Sequence, residues 1–166
     1  MDLDLDYSDP GNVKISMEQL TCKVIDEFPE PLPKTAGMPA DGHLFTVRND
    51  DDPCRRLLDE KRAVAFHRIV AMLLFLIVRP CRDYRTAVAF LSTRVKEPYK
   101  DDWGKLRRLL HYLKRNPLLP LALEANNLGF FHWHVDAFFA VNADMKSHTG
   151  GTMSLGRGSI IDTSQK

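Results

Sequence analysis

The chain has 166 residues, and 44% of them are hydrophobic, so its length and composition suit one folded domain, or one and a half small ones, with a substantial core. Its three cysteines are widely spaced and form no Cys-x-x-Cys pair, and no signal-like segment precedes them. These features argue against a secreted protein stabilised by disulfides. They favour a reduced, intracellular protein, cytoplasmic or nuclear. The longest apolar run, Ala71 to Val78, is far shorter than the ~20 residues that cross a bilayer, so we predict no membrane segment.

A net charge of +1 conceals an uneven distribution of charge along the chain. Residues 1–60 hold 14 acidic and 6 basic residues, whereas residues 61–166 hold 8 acidic and 17 basic ones. A strongly basic half often faces a polyanion, and nucleic acid is the first candidate. The alternative, which charge alone favours, is an ordinary solvated surface whose two halves attract each other.

The first 28 residues predict a β-hairpin followed by a helix. Residues 3–7 alternate apolar and acidic side chains, as a half-buried strand does, and a Ser-Asp-Pro-Gly-Asn turn separates them from a second short strand over 13–16. Ser16 is positioned to cap a helix over Met17–Phe28. The apolar face of that helix comprises Leu20, Val24 and Phe28.

Helices dominate the predicted middle of the chain. Residues 29–56 are rich in proline and acidic residues and lack apolar periodicity, which indicates a long surface loop or a partly disordered linker. Three helices are then predicted over Leu57–Val78, Arg82–Val95 and Asp101–Arg115, each followed closely by a proline. Beyond Pro120, short apolar segments alternate with turn residues, which indicates strands.

The third of these helices is strongly basic. Residues 94–115 carry 8 basic and 3 acidic residues, and leucines recur there at helical spacing, so the charges lie on the other faces of the helix. Such a surface can bind the sugar–phosphate backbone of a nucleic acid without reading its sequence. The alternative, favoured by the spacing alone, is an amphipathic helix with a solvated basic face. The candidate nucleic-acid-binding residues are Lys105, Arg107, Arg108, Lys114 and Arg115.

The segment HWHVDAFF, residues 132–139, is the main candidate for a chemical site. With a period of two, His132, His134 and Asp136 share one strand face, where they could bind zinc. The alternative, which we favour, is histidines on a half-exposed face that hydrogen-bond to neighbours or water. Asp136 could instead hold Mg²⁺, which binds a few carboxylates and leaves other positions to water and phosphate oxygens. The sequence contains no nucleotide-binding glycine loop, nucleophile elbow, His-Glu-x-x-His or EF-hand pattern.

The order of these segments resembles a known family. One stretch resembles the end of the reverse transcriptase in copia-type retrotransposon polyproteins: residues 79–114, RPCRDYRTAVAFLSTRVKEPYKDDWGKLRRLLHYLK. It carries, in order, the Arg-Pro, Ala-Val, Leu-Ser, proline, tryptophan and Arg-x-Leu-x-Tyr-Leu-Lys motifs of that family. A second stretch looks like the start of the RNase H domain that follows in that family: residues 133–160, WHVDAFFAVNADMKSHTGGTMSLGRGSI. The first 20 residues look like the hairpin and helix after the polymerase active site. The RNase H-like motif matches at Asp136-Ala137, Asp144, Lys146-Ser147, Thr149-Gly150 and Gly156.

The resemblance implies an α+β fold in four segments. These are a hairpin and helix that follow the palm (1–28), a loop or linker (29–56), a thumb-like helical region that grips a primer–template duplex (57–117) and an incomplete RNase H-like domain of antiparallel strands (118–166). It implies that Asp136 is the first metal-binding carboxylate of the RNase H site, with Mg²⁺ as the cofactor. The ancestral reaction would be hydrolysis of the RNA strand in an RNA–DNA hybrid.

The sequence also departs from the family pattern. The family's polymerase aspartates precede the matched region and its other RNase H carboxylates follow it, while Cys81 replaces a usual Asp and Phe138 a small or polar residue. Because two-metal catalysis needs several carboxylates, we expect salt-dependent nucleic-acid binding without efficient catalysis. The expected partners are an RNA–DNA hybrid, or another nucleic acid, and the rest of a Pol polyprotein. We also expect an exposed edge and an uncovered apolar face among the strands from Leu119 onward.

Two other classes of function stay open at this point. One is a metal-dependent enzyme that uses His132, His134 and Asp136. The other is a non-catalytic interaction protein that reuses the helical region.

Overall fold

A computed structural model describes residues 3–47, 56–80, 82–141 and 145–165. Within these ranges the fold is α+β with antiparallel sheets, as predicted. The helices are α1 (Glu18–Asp26), α2 (Glu60–Ile77), α3 (Arg85–Ser92) and α4 (Lys100–Arg115). The strands are β1 (Asp4–Asp6), β2 (Asn12–Ser16), β3 (Leu121–Ala125), β4 (His132–Phe138), β5 (His148–Ser154), β6 (Gly156–Arg157) and β7 (Ile161–Gln165).

The N-terminal hairpin forms as predicted, but its boundary with α1 differs. The turn uses Gly11 at a φ of +84°, a conformation that glycine adopts without a steric penalty. Ser16 pairs with Asp4 as the last residue of β2, so the prediction that it caps α1 was wrong. Met17 occupies the N-cap position without a side-chain hydrogen bond. The first strand is exposed rather than half-buried.

Two of the predicted central helices are shorter than the sequence suggested. α2 begins at Glu60 because the carboxylate of Asp59 accepts a hydrogen bond from the backbone N–H of Arg62, at 3.0 Å. Leu57 instead forms a β-bridge with Tyr99. α3 covers only residues 85–92 of the predicted 82–95, and the chain leaves it through tight turns.

The hydrophobic core lies between the helices. All four helices contribute to it, and so does the segment between α1 and α2, through Leu32 and Leu44. No described residue beyond Leu113 belongs to this cluster of buried apolar side chains. The fully buried members include Val24, Phe66, Ile69, Val70, Leu73, Leu76, Val88, Leu91, Leu106, Leu109 and Leu110. In the parts of the chain that the structure describes, no helix is both long and apolar enough to cross a membrane.

The strands beyond α4 are divided between two sheets. One sheet has the order β1-β2-β3-β6, so β3 pairs with the N-terminal hairpin, in a register that sets Val13 opposite Leu123. The other sheet has the order β4-β5-β7. The predicted segment 118–166 therefore contributes to both sheets, and the part that contains Asp136 forms the second one.

Candidate functional site: the β4-β5-β7 sheet and the basic helix α4

The register of β4 on β5 gives the sheet one polar and one apolar face, as the alternation in the sequence predicts. Asp136 lies opposite Gly150 and His134 opposite Thr152 on the polar face, whereas Trp133 and Val135 point to the other side. Every residue of β4 is exposed. This exposure confirms the predicted uncovered apolar face.

An open cavity of about 440 Å³ lies between the polar face of the sheet and the start of α3. Asp136, His134 and His148 line it from the sheet, and Arg82 and Arg85 line it from the α3 side. Because Gly150 has no side chain, nothing on β5 covers the Asp136 carboxylate from the directly opposite position. One oxygen of that carboxylate accepts a hydrogen bond from the backbone N–H of Ala137, at 2.8 Å.

A second carboxylate on the same face, that of Asp162 on β7, is held by an arginine. Its Oδ2 lies 2.5 Å from Nη1 of Arg82, whose Nη2 also donates to the carbonyl of Ile160 at 2.9 Å. Burial by itself raises the pKa of Asp162, but hydrogen bonds from Arg82 and from neighbouring hydroxyl groups outweigh it, so the pKa lies below the usual value. Asp162 is therefore an anionic structural partner of Arg82.

His148 at the start of β5 is the buried polar residue of this sheet. Its Nε2 lies 2.7 Å from the hydroxyl oxygen of Ser164, and its ring contacts Phe45 with centroids 5.1 Å apart. Desolvation by burial lowers the pKa of His148, which favours the neutral imidazole at neutral pH. Neither this pairing nor that of Arg82 with Asp162 follows from local sequence, because the first depends on the pairing of β5 with β7 and the second on how β7 lies against the residues before α3.

The described residues do not fit a multi-carboxylate metal site. No group of three His, Cys, Asp or Glu side chains among them is placed to hold a metal ion. His132, His134 and Asp136 do share a face, but successive positions on one strand face are about 6.6 Å apart, so these side chains follow the strand instead of converging. Asp162 is separated from Asp136 by β5 and is occupied by Arg82. Asp144, which the family motif matches, lies outside the described residues.

The basic face of α4 is partly covered by the segment between α1 and α2. Residues 29–47 form neither helix nor strand, as predicted for a loop, but they pack along α4. The backbone N–H of Ala36 donates to the carbonyl of His111 at 3.2 Å. Acidic residues of the segment also lie near the basic face, with Glu30 3.7 Å from Arg107 and Asp41 3.7 Å from Arg108, in line with the attraction between an acidic and a basic half. Residues 48–55 of the predicted linker lie outside the described residues.

Of the five candidate basic residues, Lys105 makes the closest contacts with the rest of the chain. Its Nζ lies 2.8 Å from the Asp101 carboxylate and donates to the carbonyl of Thr46 at 2.7 Å. The ammonium group also lies 4.7 Å from the centroid of the Phe90 ring, and only 12% of the side chain is exposed. Lys105 therefore stabilises the contact between α4 and the loop.

The other four basic residues are more accessible. Arg107 and Arg108 approach Glu30 and Asp41 only to 3.7 Å, which is a loose, solvent-screened contact. Lys114 donates to the carbonyl of Leu32 at 2.6 Å, a contact that leaves its charge uncompensated. In the described part of the chain, no carboxylate pairs with Lys114 or Arg115, and both residues are exposed.

A local excess of positive charge surrounds His111 on α4. Burial is the largest cause of the lowered pKa of this histidine, and the positive charges of Arg107, Lys34 and Lys114 lower it further. The C-terminal half of α4, together with Lys34, therefore forms a positively charged surface. We call Lys34, Arg107, Lys114 and Arg115 the basic patch.

Comparisons with models of protein families, with curated proteins and with solved structures gave no match. The geometry of the sheet and of the basic patch is therefore the basis for the functional proposal.

Proposed function

We propose that this chain is part of a copia-type retrotransposon reverse transcriptase/RNase H polyprotein, and that its own residual activity is binding to nucleic acid. The order of the sequence motifs supports the family. The observation that carries the proposed binding is the basic patch around His111. Besides burial, the positive charges of Arg107, Lys34 and Lys114 lower the pKa of His111. A surface of this kind attracts phosphate groups without reading bases.

In this proposal, Lys114 and Arg115 make the larger contribution and Lys105 the smaller one. Lys114 and Arg115 end α4 and have no carboxylate partner among the described residues, so their charges are available to phosphates. Lys105 already interacts with Asp101 and Thr46, and moving it to a phosphate would break both contacts. Arg107 and Arg108 lie between these extremes, because their contacts with acidic residues are long.

Catalysis is the weaker part of the family assignment. Asp136 offers an accessible carboxylate on the polar face of a sheet, which is the position that the resemblance assigns to a metal-binding residue of RNase H. Two-metal hydrolysis needs further carboxylates beside it, and Asp162 is engaged by Arg82. We therefore propose binding without efficient cleavage, and no step of the proposal depends on a metal ion.

The first experiment measures binding of a fluorescently labelled RNA–DNA hybrid by anisotropy over a series of salt concentrations. We expect replacement of both Lys114 and Arg115 by alanine to weaken binding and to reduce the salt slope by up to about 2, since each lost phosphate contact removes about one. The matched control replaces Lys23 and Lys61, two exposed lysines on α1 and α2, and removes the same charge. Equal losses in both variants would contradict a role for the basic patch.

The same hybrid tests catalysis. We expect no cleavage by the wild type in Mg²⁺, so that Asp136→Asn changes neither the products nor the affinity. Cleavage by the wild type that disappears in Asp136→Asn would show that other carboxylates complete the site. Failure of the wild type to bind the hybrid even at low salt would contradict the proposed function.

A further inference from the structure

β4 is an edge strand with one side unpaired. Among the described residues only β5 pairs with it, and the order β4-β5-β7 leaves its other edge open. The strand is seven residues long, it is exposed on both faces, and it contains no proline or lysine of the kind that protects natural edges. Such an edge is a template for another strand.

The sequence of β4 is complementary to itself in one antiparallel register. The midpoint of His132–Phe138 is Val135, so a second copy that pairs over the full length of the strand sets Val135 opposite its counterpart. In that register His134 faces Asp136 of the second copy, and Asp136 faces its His134. Two identical histidine–carboxylate pairs therefore form on one face of the shared sheet.

On the other face of the strand, the side chains of the two copies are complementary in size. In the same register Trp133 of each copy lies opposite Ala137 of the other, so the largest side chain of the strand meets the smallest. Trp133 and Val135 are 55% and 63% exposed in the single chain, and this pairing covers part of both. Burial of these apolar groups and of the open backbone edge is the expected driving force.

Neighbouring registers are less complementary. A shift that centres the pair on His134 still sets His132 opposite Asp136, but it brings two histidines together, places Trp133 opposite Val135 and pairs only part of the strand. A shift that centres the pair on Asp136 sets two carboxylates opposite each other. A shift by a single residue would bring the polar face of one copy beside the apolar face of the other. The full-length register is therefore the one that pairs His134 with Asp136, sets the large Trp133 opposite the small Ala137 and uses all seven residues of the strand.

We infer that two copies of this chain associate through antiparallel pairing of their β4 strands, centred on Val135. The result is one continuous six-stranded sheet in the order β7-β5-β4-β4-β5-β7. This association is independent of the proposed nucleic-acid binding, because the basic patch lies on α4 and its neighbouring loop.

Sedimentation velocity of the full chain over a micromolar concentration series tests the inference. His134→Asp places a carboxylate opposite Asp136 twice per dimer, and we expect it to weaken association about tenfold or more. The double variant His134→Asp, Asp136→His exchanges the two residues and restores both pairs, so it should recover the dimer. A wild type that stays monomeric throughout, or a double variant no better than the single one, would overturn the inference.

A matched control on the same face identifies the register. His132→Asp introduces the same charge change two residues away, where Phe138 of the second copy lies opposite, so its effect should be much smaller. If His132→Asp were instead the more disruptive variant, the register centred on His134 would be the correct one and ours would be wrong.

Cysteine cross-linking gives a second readout that does not depend on introduced charge. Paired residues in antiparallel strands have Cα atoms about 4.5 to 5.5 Å apart, which a disulfide can bridge. Val135→Cys should therefore form a 135–135 disulfide, identified by mass spectrometry of the peptides. Ala137→Cys should not, because the two copies of residue 137 lie about 13 Å apart along the strands. Equal 135–135 and 137–137 linkage would indicate unspecific collision and contradict the inference.

Discussion

In the helical part of the molecule, leucines such as Leu73 and Leu109 are completely buried, whereas in the β4-β5-β7 sheet the large apolar side chains Trp133 and Phe138 are more than half exposed. The helices bury their apolar stripes against one another and against a loop. The sheet docks on α3 through polar contacts, chiefly that of Arg82 with Asp162. The comparison shows that one chain can combine a close-packed core with a sheet whose apolar strand face is left uncovered by the rest of the described residues.

The difference has a simple origin in the residues available. The helical stretch carries apolar residues at helical spacing, so each helix has a stripe to bury. β5 contains Gly150 and Gly151, which offer no side chain to pack, and β4 presents Trp133 and Val135 on the face that points away from α3. The sheet therefore depends on ion pairs, hydrogen bonds and, in our inference, a second copy.

The largest contrast is expected from truncating one side chain in each region. Leu109→Ala removes a fully buried side chain and should lower the free energy of unfolding by about 2 to 5 kcal/mol. Val135→Ala on the exposed strand should change it by no more than about 0.5 kcal/mol at concentrations where the chain is monomeric. Urea denaturation followed by circular dichroism measures both. Comparable losses would mean that the sheet contributes to the same core.

A smaller, local effect is expected from the contact that joins the sheet to the helices. Asp162→Asn weakens the hydrogen bond with Arg82 and should cost about 1 to 3 kcal/mol in the sheet. Hydrogen exchange of the β5 and β7 amides should accelerate, while the amides of α2 and α4 keep their protection. At concentrations where the chain is monomeric, Asp136→Asn, the same substitution at an exposed position of the sheet, is the control and should leave exchange unchanged. Acceleration throughout the helices would contradict a local role.

The same carboxylate predicts a pH dependence. Because the folded-state pKa of Asp162 is lowered, its stabilising contribution is complete above the unfolded-state pKa of about 3.9 and is lost as the pH falls through the lower folded value. The difference in stability between wild type and Asp162→Asn should therefore shrink below about pH 4. A difference that stays constant as the pH falls would assign the effect of the substitution to packing instead.

The smallest effect is spectroscopic. The chain has two tryptophans, and the structure places Trp103 in the helical core at 6% exposure and Trp133 on the open sheet at 55%. With Trp103→Phe, the remaining fluorescence should be readily quenched by acrylamide, whereas with Trp133→Phe it should be protected. If β4 pairs with a second copy, protection of Trp133 should increase with protein concentration. Equal quenching of the two residues in dilute solution would contradict the exposed sheet.

Local patterns in the sequence were sufficient for much of the fold. Apolar spacing and prolines predicted all four helices, and the turn at Gly11 predicted the hairpin. The alternation in HWHVDAFF predicted which residues of β4 share a face with Asp136. These features depend on residues a few positions apart, and the sequence displays that spacing directly.

Tertiary structure decided what each element contacts. It paired β3 with the N-terminal hairpin, placed Asp162 beside Arg82 and laid residues 29–47 over the basic face of α4. These contacts join residues that are tens of positions apart, and many alternative partners satisfy the same local pattern. The choice among them depends on the packing of the whole chain, which is why Lys105 could be predicted as basic and helical but not as a residue already engaged by its own fold.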